Sequence, residues 1–127
     1  MLPQLAVSLF MAILFLQSGL DKVFHYRDNL AYFSAHFKKS PLAGLVSLMM
    51  PVITLLEVSA GALSAAGAVQ LLLSDMATLA FYGQAVAAAA LLCLFFGQRL
   101  AQDYGGAAAL VPYFLTALAG MWLTKGA

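Results

Sequence analysis

The chain has 127 residues, of which 64% are hydrophobic and 9% charged, with a net charge of +1. An average soluble chain is ~45–50% apolar and ~25% charged, and a chain this short has too much surface to hide so few polar groups, which excludes a soluble domain. The small charge, with no basic cluster among aromatics, gives no sign of a nucleic-acid partner, and the single Cys93 excludes an internal disulfide and any multi-cysteine metal site.

The first apolar run, about residues 3–20, opens after Pro3, a residue tolerated in a first helical turn. No Lys or Arg precedes it and no Ala-x-Ala-like site follows, so it is expected to be a retained membrane helix and not a cleaved signal. Its end carries Gln17, Ser18 and Gly19, then Asp21 and Lys22. Residues 23–39 form the most polar stretch. Val23, Tyr26, Leu30, Phe33 and Phe37 repeat at helical spacing, with His25, Asp28, Asn29, Tyr32, His36 and Lys39 opposite. The pattern predicts an amphipathic helix too charged to cross the bilayer, lying in the interface or capping the bundle.

The second span, 42–73, would extend roughly 48 Å as a continuous helix, more than a bilayer needs, and Pro51 is the expected bend. Ala60, Ser64 and Ala68, like Gly61 and Ala65, recur every four residues and predict close helix packing. A turn at Ser74-Asp75-Met76 leads into a third span, 77–97. The fourth, 107–124, ends near Trp122 and Lys125, which suit an interfacial anchor. The expected fold is therefore all-α: one membrane domain, a transmembrane four-helix bundle with an amphipathic connector between its first two spans. The two loops on one side hold Lys22, Arg27, Lys38, Lys39 and Arg99, against Lys125 on the other, so the termini are expected outside the cell membrane.

Glu57 lies deep within an apolar run, where an ionisable group is costly and by default functional. Three readings are open: a hydrogen-bonded structural residue, a proton-exchanging site residue, or half of an ion pair with Lys22 or Arg99. Measured from Leu42, Glu57 lies ~22 Å along its helix, so a Lys22 snorkelling at the surface sits about half a membrane away. A direct pair then requires the bend at Pro51, a water chain or a re-entrant connector. Gln17, Tyr82 and Gln84 are expected to line a polar pocket beside Glu57, with Asp103 and Tyr104 at its mouth. His25 and His36 fall ~16 Å apart on one helix, too far to share a metal. No Walker-type, nucleophile-elbow, zinc-protease or haem-attachment pattern occurs.

The run Phe15-Leu16-Gln17-Ser18-Gly19-Leu20-Asp21-Lys22-Val23-Phe24 resembles the end of the first helix in the DoxX-like family. Glu57 followed by Gly61 and Gly67 is similar to that family's second helix. The four-span layout with its connector agrees, whereas the last two spans match only as hydrophobic helices. The resemblance implies a bacterial inner-membrane protein associated with quinone-linked oxidoreductases, with Glu57 and Lys22 as site residues and a quinone as a non-covalent cofactor. With no redox centre of its own, the chain would need a redox partner protein. Two other functions stay open. A proton-coupled small-molecule transporter would use the same carboxyl, although small multidrug resistance proteins carry theirs on the first helix. A scaffold subunit would use the polar groups only to specify packing. Membrane lipid is expected around the chain, and its small-residue faces fit a homodimer.

Overall fold

The structure, a computed structural model, describes residues 1–125. Among these the chain is helical throughout, with no strand. The helices are α1 (Leu2–Phe24), α2 (Tyr26–His36), α3 (Val46–Ser74), α4 (Thr78–Leu100) and α5 (Tyr104–Thr124), with a 3-10 turn at Ala43–Leu45 before α3. Four of them, all but α2, are long and apolar enough to cross a membrane, as in a multi-pass membrane protein.

Close packing follows from where the small residues lie. A Cβ on Gly19 would come within 2.8 Å of Val58, and one on Gly61 within 2.7 Å of the Leu16 backbone nitrogen, so α1 and α3 touch backbone to backbone. Gly67 against Ala80 and Gly83 against Ser64 do the same for α3 and α4. The core between them is alanine-rich, with Ala60, Ala87, Ala90 and Ala117 fully buried around Met11 and Phe15. Small residues let helices approach where hydrophobic burial gives no drive for association. Gly61 and Gly67 of α3 thus make their close contacts within the chain, with α1 and α4. Large side chains point outward: Ile13, Leu55, Leu73 and Trp122 are all more than two-thirds exposed. That arrangement suits a surface bathed in lipid.

Element boundaries depart from the sequence pattern at the polar end. α1 runs four residues beyond Leu20, because Lys22 is buried and neutralised there. The helix breaks at His25, whose φ of −121° and ψ of 43° turn the chain into α2. Asn29 Nδ2 fastens this elbow, donating to the His25 carbonyl at 3.0 Å and to Asp21 Oδ2 at 3.2 Å. The connector helix is shorter than the 23–39 stretch and buries no residue fully. Tyr26, Leu30 and Phe33 are half-buried against a second core of Phe37, Val46 and Met50. α3 continues through Pro51, and Thr54 Oγ1 donates to the Met50 carbonyl at 2.7 Å.

At the other end, Asp75 adopts the left-handed region (φ 56°) to close α3, as short polar residues tolerate. The α4–α5 connection shrinks to three residues, 101–103, because helix continues at both ends. Asp103 caps α5 by accepting from the Gly106 N–H at 2.9 Å. Asp103→Ala should therefore lower stability by about 1 kcal/mol, read as a shift in the unfolding midpoint in detergent; an unchanged midpoint would show the cap to be dispensable.

Candidate functional site: a buried ion pair beside an apolar cavity

The reciprocal glycine contacts fix the register of α1 on α3, and that register brings Lys22 to Glu57. Lys22 lies three residues beyond Gly19, and Glu57 directly precedes Val58, the residue that Gly19 touches. Lys22 Nζ sits 3.1 Å from Glu57 Oε1 and donates to Oε2 at 3.3 Å. The side chains are only 9% and 1% exposed. Nζ also donates to Ser18 Oγ, one turn back, at 3.1 Å. The Phe33 ring of the connector lies 5.8 Å from the ammonium, a cation–π contact at the outer edge of that range.

The pair is direct, with no water chain required, and the reason corrects the depth argument. α3 starts at Val46, not Leu42, and extends about two turns (~10 Å) beyond the end of α1. The connector folds back alongside this overhang and covers it. The depth of Glu57 therefore has to be reckoned from the end of α1, where the two residues are level. Arg99 takes no part: it is exposed and stacks on Tyr104, 4.5 Å from the ring centre.

Beside the pair lies an apolar cavity of about 180 Å³. Its walls come from the connector (Phe33, Phe37), from α3 (Met49, Ile53) and from α4 (Cys93, Phe96), and Lys22 is the charged group that reaches it. Cys93 and Phe96 are exposed, so the cavity opens on the outer face of the bundle. An ammonium has three N–H groups. Among the described residues Lys22 Nζ donates to Ser18 Oγ and Glu57 Oε2, with Glu57 Oε1 also 3.1 Å away, and the side chain still lines the cavity.

Of the polar residues expected around Glu57, none joins the pair. Gln17 is exposed: five residues before Lys22, it falls ~140° around the helix from it. Tyr82 is 55% exposed, on the outer face of α4. Gln84 is fully buried, but its neighbour Gly83 packs on Ser64, two turns (~10 Å) along α3 from Glu57. There Gln84 Nε2 reaches the Val7 carbonyl at 3.5 Å, a long bond, while its Oε1 and Ser64 Oγ have no partner among the described residues.

Of the two expected mouth residues, Tyr104 is exposed and stacks on Arg99, and Asp103 joins a polar cluster with His36 and Gln98, the last of which lines the cavity. His36 Nε2 lies 2.7 Å from Gln98 Oε1 and 3.5 Å from Asp103 Oδ2, tying the end of the connector to the α4–α5 turn. His36 is thus half-buried in a polar cluster and not simply facing outward. Two participants were missed from sequence. Ser18 sits at i−4 to Lys22, a spacing that could have revealed it, whereas the contact of Phe33 depends on the fold of the connector.

Comparison of the chain with family models, with curated proteins and with solved structures finds no match.

Proposed function

We propose that this chain is a DoxX-like membrane subunit that binds a quinone headgroup and works beside a redox partner protein. The observation that carries the reading is the apolar cavity of about 180 Å³ that reaches the ammonium of a buried lysine–glutamate pair. A cavity of ~150 Å³ accepts benzene, so this one is large enough for a substituted six-membered ring. Lys22 donates to one ring carbonyl, Glu57 holds the lysine in place, and the tail leaves past Cys93 and Phe96. Reduction of a bound quinone to the quinol takes two electrons and two protons. The partner's redox centre supplies the electrons, and the Lys22–Glu57 pair is the proton-bearing group nearest the ring. In this reading the protein resides in the bacterial inner membrane with both termini on the periplasmic side. Its exposed Arg27, Lys38, Lys39 and Arg99 lie in the cytoplasmic loops, and the connector lies in the interface.

The test is equilibrium dialysis of a short-tailed para-benzoquinone against the protein in lipid nanodiscs. Saturable binding is expected, weakened about tenfold or more by Lys22→Met, since a hydrogen bond from a charged donor is lost. Absence of saturable binding to the unaltered protein would sink the proposal.

A further inference from the structure

The face of α1 turned away from the bundle carries a regular pattern. Ala6, Phe10, Ile13, Gln17, Leu20 and Phe24 are all exposed and follow one another at alternating intervals of four and three residues. That is the seam spacing of a left-handed coiled coil, sustained along the helix. Contacts within the chain use the opposite side of α1, where the buried Ser8, Phe15 and Lys22 recur every seven residues. Phe10 is braced from the side by Tyr113 of α5, with ring centres 6.3 Å apart. In this apolar seam Gln17 is the exception. It lies seven residues, ~10 Å, before the end of α1, a depth that a hydrocarbon layer ~30 Å thick encloses. Among the described residues the side-chain hydrogen bonds of α1 involve Gln4, Ser8, Ser18, Asp21 and Lys22, and none involves Gln17. An amide left without a partner in hydrocarbon is costly, and a polar group on a neighbouring helix relieves that cost.

We infer that this face of α1 docks on the same face of a second copy of the chain, with the two Gln17 amides hydrogen-bonded to each other. Copies inserted with the same topology are related by a two-fold axis along the membrane normal. Their α1 helices then run parallel, and each seam residue meets its own copy at its own depth. A group that only donates or only accepts would face its like there. An amide does both, so two glutamines satisfy each other reciprocally. This self-complementarity selects a second copy over a different protein. A single polar residue in an apolar seam also fixes the register of the two helices. The seam shares no residue with the cavity, so the inference stands apart from the quinone reading.

The test is energy transfer between donor-tagged and acceptor-tagged chains in lipid vesicles as the protein-to-lipid ratio is lowered. Saturable transfer with the concentration dependence of a dimer is expected. Gln17→Leu should raise the ratio at half-association about tenfold. Gln17→Asn, which keeps both donor and acceptor, should restore most of the association. With Cys93→Ser as background, Leu20→Cys should form an intermolecular disulfide under oxidation. Leu55→Cys, exposed on α3 within ~3 Å of the same depth, should not. Transfer no greater than random proximity gives, or a dimer indifferent to Gln17→Leu, would overturn the inference. Cross-linking at Leu55→Cys as ready as at Leu20→Cys would overturn it too.

Discussion

Lys22→Met should lower the stability of the protein by about 3–5 kcal/mol, because it leaves Glu57 as an unpaired carboxylate in a dry interior. Glu57→Leu should cost a similar amount by stranding the ammonium. Changing both residues together should recover much of the loss, since an ion pair of this kind stabilises little relative to apolar residues of like volume. The difference is read in a double-mutant cycle, by denaturant titration in mixed micelles. Additive losses would mean that the two groups, 3.1 Å apart, are not energetically coupled. The same cycle separates structure from function. If the pair serves only to specify packing, the double variant should keep any quinone binding that the protein has. On the reading advanced here it should refold well and bind the quinone poorly.

Gly67→Ala is expected to be nearly as damaging, for a different reason. A Cβ there would collide with the backbone nitrogen of Ala80 and stand 2.5 Å from its Cα, so α3 and α4 must separate. Backbone cannot move aside as a flexible side chain can, and the loss should reach or exceed the ~1–3 kcal/mol typical of overpacking. Gly105→Ala is the matched control. Nothing lies within 4 Å of its added methyl, and helix propensity alone should give a small gain of about 0.5–1 kcal/mol. Comparable losses at both positions would show that the tight α3–α4 contact does not limit stability.

The four spans were legible because each is a long apolar run, and Glu57 stood out because nothing else so polar lies inside one. The pairing of Glu57 with Lys22 was not legible in the same way. Sequence gives depth along a helix only if the helix start is known, and Leu42 to Leu45 reads as apolar helix although it is a turn with 3-10 geometry. The information was present elsewhere, in Gly19 and Gly61, whose spacing from Lys22 and Glu57 sets the register once the two helices are packed. Gln17 and Tyr82 failed because polarity within a span says nothing about which side of the helix is inside. Helical phase relative to Lys22 and Gln84 would have excluded both. The cavity was beyond reach, because its walls come from three segments brought together only when the connector folds back.

The lysine precedes its partner by 35 residues, and that interval has a consequence for how the protein is made. When α1 leaves the ribosome, its ammonium has no carboxylate to meet. A lone lysine at membrane depth costs about 2.5–3.5 kcal/mol on insertion scales. The nascent first helix should therefore settle with Lys22 near the headgroups and sink only after α3 has been delivered. Biogenesis then has an obligatory second step, in which two inserted helices slide into register and the connector is drawn back over them. A ribosome stalled after α2 should hold Lys22 accessible to an amine-reactive reagent, and release of α3 should protect it.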